Sequence, residues 1–372
     1  MKKVLFLIGA LDVGGAEKVL IDTVNSLDSM QYEITVQALF DTPDQKKKLK
    51  DHIRYKAIIR RQSGLLRKIA AKLLFYILDT KFVYNLYVRD DYDYEIAFLE
   101  GLPTKVLSHS TDKKSKKIAW VHIDLQNFPD SYHAFGSEKK EADAYNRFDK
   151  IFCVSKAVEE AFVSKYAVTT KVNTLYNVLD DEEIAKMSEE EVMLPTDIRP
   201  CFISVGRLCK QKGYDRLLRI HKKLLEEGFI HSLPIVGDGP LRAQLEKYIK
   251  EHNLEQTAFL LGYQSNPYKY MRRADLFVCS SYAEGFSLVI SEAVICGIPV
   301  LATDVSGIRE PEEMPRCSII VENDEASLYE ALRSVLRQPE KLDQYREELA
   351  LKKSYINHDS LIAAFENKVF SE

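Results

Sequence analysis

The chain lacks sequence features that several classes of protein require. None of its six cysteines stands in a CxxC pair or at a metal-ligand spacing, which argues against a zinc site and a disulfide framework. The longest apolar region, residues 69–88, is interrupted by Lys72, Asp79 and Lys81, so a membrane-spanning helix is not expected. The first residues show no signal-peptide pattern, because the apolar run at 4–8 is too short. These absences favour a protein of the reducing cytoplasm.

A strong net charge is also absent, since 52 basic residues face 56 acidic ones. No nucleic-acid partner is expected. The balance is uneven, because residues 1–180 carry 28 basic and 24 acidic side chains and the remainder is acidic. Residues 46–72 contain eleven Lys or Arg and one acid, Asp51, with apolar side chains interleaved at roughly helical spacing. This segment is either a basic amphipathic surface for anionic lipid headgroups or a charge-rich solvated helix, and both interpretations stay open.

A length of 372 residues predicts two domains. Apolar strands alternate with amphipathic helices in residues 1–180, which predicts a doubly wound α/β domain. A second β/α series follows the acidic, Pro-bounded segment 180–200, and a polar, helix-like tail at about 324–372 is expected to pack across the outside. The strands are predicted at 3–8, 33–40, 94–98, 117–121 and 150–154 in the first series, and at 201–205, 233–236, 258–261, 275–279 and 299–302 in the second.

The segment 284–292 follows a predicted strand and leads into a predicted helix at 287–296. We expect the amides of residues 285–288 to be unpaired at the helix start, where their partial positive charge suits a phosphate. A rise of about 1.5 Å per residue would separate Glu284 from Glu292 by roughly 7 to 8 Å, the scale of a nucleotide sugar. One carboxylate would hold a sugar hydroxyl and the other a ribose hydroxyl. Ordinary complementation of the helix dipole and a solvated helix position are the structural alternatives.

Other candidate residues lie where predicted strands end. Gly14 and Gly15 belong to a turn that lets amides approach a phosphate, although the turn is neither a Walker loop nor a GxGxxG fingerprint. Arg207 and Lys212 follow the first strand of the second series and suit a diphosphate leaving group. His122 would bond a donor hydroxyl or orient the reacting sugar if it faces the cleft. A packing turn, a surface ion pair and a core histidine are the respective alternatives.

Five motifs, in their expected order along the chain, resemble those of the retaining glycosyltransferases of family 4 that assemble bacterial polysaccharides. They are Gly14-Gly15-Ala-Glu17, Val-Gly-Arg207 with Lys212-Gly, Val-Gly-Asp-Gly-Pro240, Leu-Gly262 and Glu284-Gly-Phe-Ser-Leu-Val-Ile-Ser-Glu292-Ala. The resemblance implies a GT-B fold, in which two Rossmann-like domains, here 1–180 and 196–350, face a central cleft. It also implies a helix at 351–372 that packs back towards the amino-terminal domain, and neither cofactor nor metal. The turn at 175–180 departs from the family's Pro-Asn-Gly pattern, which leaves the hinge conformation open.

The resemblance also implies roles for the motif residues. Arg207 and Lys212 would neutralise the donor diphosphate, and His122 matches the family's cleft histidine. Glu284 would bind the transferred sugar, and Glu292 the ribose. The expected catalytic residues are His122, Arg207, Lys212 and Glu284. The expected substrate-binding residues are Gly14, Gly15, Arg207, Lys212, Gln264, Ser265, Glu284, Gly285, Phe286, Ser287, Leu288 and Glu292.

The expected activity is retaining transfer of a hexose or N-acetylhexosamine from a nucleotide diphosphate sugar, commonly UDP-linked in the resembling family. A lipid-linked or glycan acceptor is expected, as in the synthesis of capsule or another surface polysaccharide. The protein would then be cytoplasmic or peripheral at the inner face of the plasma membrane. The alternatives are a non-catalytic nucleotide-sugar-binding partner of an active transferase, and a 2-epimerase or phosphorylase on the same fold, for which we see no motif.

Overall fold

A computed structural model of the protein describes residues 1–12, 14–42, 46–60, 64–127, 129–308, 318–351 and 357–371. The chain forms two compact units. Unit 1 comprises Met1–Leu179 and Asp359–Glu372, and unit 2 comprises Asp180–His358. Each unit is built around one parallel β-sheet, as the sequence predicts.

The strands run along the chain from β1 to β13. They are β1 (Lys2–Ala10), β2 (Tyr32–Phe40), β3 (Arg54–Ile59), β4 (Tyr94–Ala97), β5 (Lys116–Val121), β6 (Lys150–Cys153), β7 (Lys171–Thr174), β8 (Phe202–Val205), β9 (Leu233–Val236), β10 (Ala258–Gly262), β11 (Leu276–Cys279), β12 (Val300–Thr303) and β13 (Ser318–Val321). Residues 4–8 of β1 are completely buried, because helices cover both faces of a parallel sheet. The continuous apolar runs from which the strands were predicted therefore lie at the centre of the sheets.

The helices run from α1 to α14. They are α1 (Gly15–Ser26), α2 (Leu65–Lys72), α3 (Thr80–Val83), α4 (Leu102–Leu107), α5 (Glu138–Tyr145), α6 (Lys156–Lys165), α7 (Asp181–Ser188), α8 (Tyr214–Glu226), α9 (Arg242–Glu251), α10 (Tyr268–Arg273), α11 (Leu288–Ile295), α12 (Glu325–Arg337), α13 (Lys341–Leu351) and α14 (His358–Val369). Two π-helical turns, Leu73–Ile77 and Tyr84–Val88, continue α2 and α3. Short 3-10 turns lie at Pro129–Ala134 and Lys210–Lys212.

The order of the strands in each sheet shows at which edge of the sheet a ligand is expected to bind. Within the described residues, unit 1 has the order β3-β2-β1-β4-β5-β6-β7, and unit 2 has the order β10-β9-β8-β11-β12-β13. The winding therefore reverses between β1 and β4 in unit 1 and between β8 and β11 in unit 2. Open α/β sheets bind ligands outside the carboxyl ends of the strands at such a switch point. The loops after β8 and β11, which carry Lys212 and Glu284, occupy this position in unit 2.

The carboxy-terminal helix α14 belongs to unit 1. The ring of Phe365 stacks on Trp120, with centroids 5.4 Å apart, and lies 6.3 Å from that of Phe6. Phe370, just after the helix, packs against Tyr94 at 5.0 Å. The predicted return of the terminal helix to the amino-terminal domain is therefore confirmed.

The prediction of helical spacing throughout 46–72 is wrong. Residues 54–59 form β3, which pairs in parallel with β2. Among the described residues in the second half of this segment, the helical ones are 65–72. Backbone pairing with a neighbouring strand outweighs the weak helical pattern, because it satisfies one side of the strand's amides and carbonyls. No helix in the described parts of the chain is long and apolar enough to cross a membrane.

Candidate functional site

The loops after β8 and β11 bring Lys212 and Glu284 into direct contact. Lys212 Nζ lies 2.6 Å from Glu284 Oε1, and Ser281 Oγ donates a hydrogen bond to the same oxygen at 2.5 Å. Glu284 is only 6% exposed. Burial lowers the pKa of Lys212, but the Glu284 carboxylate more than offsets this, so the pKa lies above its ordinary value. A charged pair therefore occupies the switch point of unit 2.

Gly213 holds the Lys212 loop against the loop after β11. Its φ is +66°, and a Cβ at this position would lie 2.0 Å from the carbonyl oxygen of Ser280. Ser280 Oγ in turn donates to the carbonyl of Lys212 at 2.9 Å. Only glycine permits both the left-handed conformation and this close approach. The position of Lys212 beside Glu284 therefore depends on backbone contact between the two loops.

Arg216 fixes the loop that leads to Glu284. It is 1% exposed, and its guanidinium donates to the carbonyls of Ser280 and Ser281 at 2.9 and 2.7 Å. The guanidinium carbon also lies 4.0 Å from the centroid of the Tyr282 ring, a cation–π geometry. Arg216 was not predicted from the sequence. The available signal was an arginine on the apolar face of a predicted helix, where a buried charge needs partners.

Arg207 is placed differently from Lys212. It follows β8, its side chain is exposed, and that side chain forms no ion pair or hydrogen bond with the residues that the structure describes. The structure therefore brings one of the two predicted cations to Glu284 and leaves the other open to an anion from solvent. The structural alternative for Arg207, a surface ion pair, finds no support among the described residues.

The start of α11 presents two buried hydroxyls. Ser287 Oγ and Ser291 Oγ, one helical turn apart, are both buried and have no hydrogen-bond partner among the described residues. Buried hydroxyls without partners are uncommon, so the pair fits a polar ligand at this helix start. The expectation that the amides of 285–288 are all unpaired is wrong at Leu288, whose amide donates to the carbonyl of Phe286 at 3.1 Å. A tight turn before the helix uses that amide.

Glu292 lies on α11 and is 7% exposed. It accepts a hydrogen bond from the Tyr268 hydroxyl at 3.0 Å. Tyr268 opens α10, and Asn266 Oδ1 accepts from its amide at 3.1 Å. The alternative of a solvated Glu292 is therefore wrong, because the carboxylate is tied to the start of α10.

The loop between β10 and α10 carries Gln264 and Ser265, two of the predicted substrate-binding residues. Gln264 is half-buried and donates through Nε2 to the carbonyl of Leu261 at 3.0 Å. Ser265 is exposed. The loop ends at Asn266, which caps α10 and thereby places Gln264 and Ser265 one short loop away from Tyr268 and Glu292.

His122 and Glu100 lie together at the carboxyl edge of the sheet in unit 1. The His122 amide donates to Glu100 Oε2 at 3.1 Å. Burial lowers the pKa of His122 to about 3, so the imidazole is neutral at pH 7, and its Nε2 has no partner among the described residues. Burial also raises the pKa of Glu100 to about 7. The Glu100 carboxyl, poised near neutrality, therefore binds the backbone of the residue that carries this neutral imidazole.

Glu100 was not predicted from the sequence. It follows β4, the strand next to β1 at the switch point of unit 1, and a charged residue just after an apolar strand was the available signal.

Gly14 is the N-cap of α1 and Gly15 its first residue. A Cβ on Gly14 would lie 2.3 Å from a carboxylate oxygen of Glu17, so the glycine lets this acid fold back over the helix start.

Sequence comparison identifies the carboxy-terminal part of the chain. Residues 189–350 match the family model described as "Glycosyl transferases group 1". The Campylobacter jejuni N-acetylgalactosamine-N,N'-diacetylbacillosaminyl-diphospho-undecaprenol 4-alpha-N-acetylgalactosaminyltransferase is 36% identical over 195 residues, which cover 52% of each chain. The Escherichia coli O-antigen biosynthesis glycosyltransferase WclY is 26% identical over 202 residues, or 52% of this chain and 55% of that one. The chain thus spans about half the length of these curated relatives.

Solved structures match the whole chain. Anabaena HepE, crystallised with UDP and glucose, has a TM-score of 0.78 and 20% identity, and all of both chains is covered. Staphylococcus aureus TarM has a TM-score of 0.71 and 14% identity, again over all of both chains. These likenesses show the fold, and the predicted resemblance to family 4 is confirmed. Residues 189–350 of the chain therefore match the group 1 glycosyl transferases, and its two parallel-sheet units have the GT-B fold.

Proposed function

We propose that the protein transfers a sugar from a UDP-linked donor to a glycan or lipid-linked acceptor. The observation that carries the proposal is the buried Lys212–Glu284 pair at the switch point of unit 2, beside the buried hydroxyls of Ser287 and Ser291. A cation, a carboxylate and a helix start at one sheet edge suit a diphosphate joined to a sugar. The complex of HepE with UDP and glucose supports this choice of donor.

Each part of this edge has a role in donor binding. Lys212 is held by Glu284 in the protein alone, and a diphosphate would offer it a second anionic partner. Arg207, which is open to solvent, would add a fork of donors to the same phosphates. Glu284 keeps the hydrogen bond from Ser281 and would accept one from a hydroxyl of the transferred sugar. Glu292, held by Tyr268, would accept from the ribose.

We propose that transfer retains the configuration of the anomeric carbon. The bond from this carbon to the diphosphate oxygen breaks, and the acceptor hydroxyl oxygen forms the new bond on the same face. The hydroxyl proton passes to the departing diphosphate. Lys212, Arg207 and the start of α11 would stabilise the negative charge that develops on the leaving group, which is the main catalytic effect. These cationic groups take the place of a metal ion, so we expect the transfer rate to be unchanged by EDTA.

We propose that residues of unit 1 bind the acceptor. Neutral His122, whose Nε2 is unpartnered among the described residues, would bond a sugar hydroxyl, and the adjacent Glu100 would polarise the acceptor hydroxyl. The Campylobacter relative is named for an undecaprenol diphosphate acceptor, which supports a lipid-linked acceptor for this protein. A hexose or N-acetylhexosamine is the proposed cargo, in the synthesis of a surface polysaccharide such as a capsule.

A ligand screen followed by a transfer assay tests the proposal. Thermal shifts are measured with UDP, GDP, ADP and their sugars, and the stabilising donors are then incubated in radiolabelled form with bacterial lipid extract. We expect UDP sugars to raise the Tm and label to enter the organic phase. Lys212→Met and Arg207→Ala should each weaken UDP binding, whereas Lys210→Ala, an exposed neighbour, should not. Absence of any shift with every nucleotide sugar would rule out the proposal.

A further inference from the structure

Unit 1 presents a concentrated apolar surface outside the site. Among the described residues, sixteen large apolar side chains are exposed, and nine of them lie within residues 65–87. We call this surface the 65–87 face. Its exposed apolar members are Leu65, Leu66, Ile69, Leu73, Tyr76, Ile77, Phe82, Leu86 and Tyr87, between 40% and 73% exposed. Single exposed apolar residues need no explanation, but nine on two consecutive helical segments, α2 and α3 with the π-helical turns that continue them, indicate an interaction surface.

The 65–87 face is firmly anchored on its inner side. Phe75 and Tyr84 are buried, and the Phe75 ring packs edge-on against Phe40, with centroids 5.8 Å apart. The Tyr84 hydroxyl donates to buried Glu95, and Lys105 Nζ donates to the carbonyl of Phe75 at 2.6 Å. The outward apolar side chains therefore belong to a fixed part of the fold, which presents them to the surroundings.

The charge on the 65–87 face is mainly positive. Lys68, Lys72 and Lys81 are exposed and form no ion pair with the described residues. The acid of this segment, Asp79, caps α3 by accepting from the Phe82 amide at 2.9 Å. An apolar surface with three lysines, none of them paired with its single acid, complements a membrane surface, which is apolar beneath a layer of anionic headgroups.

We propose that the 65–87 face docks the protein on an anionic lipid bilayer. Leucine, isoleucine and aromatic side chains would enter the boundary between headgroups and acyl chains, and the three lysines would lie against lipid phosphates. The geometry moves the membrane surface from the predicted residues 46–72 to residues 65–87, because 54–59 are a strand. This use of the face rests on the proposed lipid-linked acceptor.

A second copy of the chain is the less favoured occupant. Two copies joined through this face would bring Lys68, Lys72 and Lys81 of each protomer close to those of the other. Like charges at an interface oppose association, and the face contains no acidic patch among its described residues to pair with them. Phospholipid headgroups supply the missing anions.

Vesicle sedimentation of the full-length protein tests the docking. The vesicles contain phosphatidylcholine with phosphatidylglycerol, or phosphatidylcholine alone. We expect binding to the first and weak binding to the second. The variant Ile69→Ser, Leu73→Ser, Ile77→Ser and Leu86→Ser should bind anionic vesicles at least tenfold more weakly. The control variant Met193→Ser with Ile230→Ser changes apolar residues of unit 2 that are 91% and 60% exposed, and it should bind as the wild type does.

A second set of variants tests the charges. Replacing Lys68, Lys72 and Lys81 by Glu should reduce binding by about fivefold or more for each residue, since each cation near an anionic surface contributes about 1 kcal/mol. The matched control replaces exposed lysines elsewhere in unit 1, namely Lys113→Glu, Lys114→Glu and Lys139→Glu, and should bind nearly normally.

Two further measurements separate the possible failures. UDP thermal shifts should be the same in every face variant as in the wild type. If the wild type binds anionic vesicles but shows no thermal shift with UDP, only the proposed function is overturned. If the wild-type protein does not bind anionic vesicles, or if the serine variants bind them as well as the wild type does, only the docking proposal is overturned. A wild-type dimer that the serine variants convert to a monomer, without vesicle binding, would assign the face to a second copy instead.

Discussion

Replacing Lys212 by methionine should destabilise unit 2 more than replacing Glu284 by glutamine. The Glu284 side chain is 6% exposed and that of Lys212 is 21% exposed. Lys212→Met leaves the buried Glu284 carboxylate without its cation, and its other hydrogen bond comes from Ser281 Oγ. Glu284→Gln instead leaves the Lys212 ammonium, which is on a flexible side chain and can turn towards water. Breaking a buried pair on one side costs about 3–5 kcal/mol. Allowing for the partial exposure of Lys212, we expect losses of about 2–4 kcal/mol for Lys212→Met and about 1–2 kcal/mol for Glu284→Gln.

Urea unfolding followed by circular dichroism measures these free energies. The single tryptophan, Trp120, lies in unit 1, so its fluorescence gives an internal control on the unit that is not mutated. The double variant should be less destabilised than Lys212→Met alone, because neither charge is then stranded. Equal losses in the two single variants, or additive losses in the double variant, would refute this account of the pair.

Three other predictions concern the loop glycine, the buried histidines and Glu100. Gly213→Ala should lower UDP affinity at least tenfold, because the new Cβ would collide with the carbonyl oxygen of Ser280. The control, Gly228→Ala, has a φ of +88° and open space around it, so it should cost about 1 kcal/mol of stability and leave the UDP affinity unchanged. Burial lowers the pKa values of His221 and His231 to about 2 and about 4. The contribution of these histidines to the free energy of unfolding is therefore complete above pH 6.5. As the pH falls below this value, the free energy of unfolding decreases by about 1.4 kcal/mol per pH unit for each histidine. His231→Leu should make this decrease shallower when urea unfolding is measured over a range of pH. Glu100→Gln should remove a rise in kcat/KM through about pH 7 in transfer assays, whereas an unchanged pH profile would exclude a role for its ionisation.

All of the missed strands lie at sheet edges, whereas the predicted strands lie inside the sheets except β10, an edge strand that is apolar over most of its length. Strands such as β1 and β11 are covered on both faces, so burial requires continuous apolar runs that can be read directly. The missed strands, β3, β7 and β13, all lie at sheet edges within the described residues. An edge strand has one paired side and mixed composition, as in the Arg-Tyr-Lys-Ala-Ile-Ile of β3, so its periodicity is weak.

The candidate site divides in a similar way. Motif residues such as Glu284, Lys212 and Glu292 could be found because loops at strand ends carry a recognisable pattern. Ser281, three residues before Glu284, is a local partner. The pairing of these residues with distant partners could not be found, since Lys212 is 72 residues from Glu284 and Tyr268 is 24 residues from Glu292. Sequence spacing holds no information on such contacts.

The sequence by itself determined that the chain alternates strands and helices in two series and that its acids and cations follow strand ends. Local burial and turn chemistry act within a few residues, so they leave a readable pattern. The tertiary structure decided that Lys212 is already bound to Glu284, that Arg207 stays open to solvent, and that the exposed apolar face lies at 65–87. Each of these depends on which loops the order of strands β8 and β11 brings together, or on which side of a helix the sheet covers. Both are properties of the assembled fold.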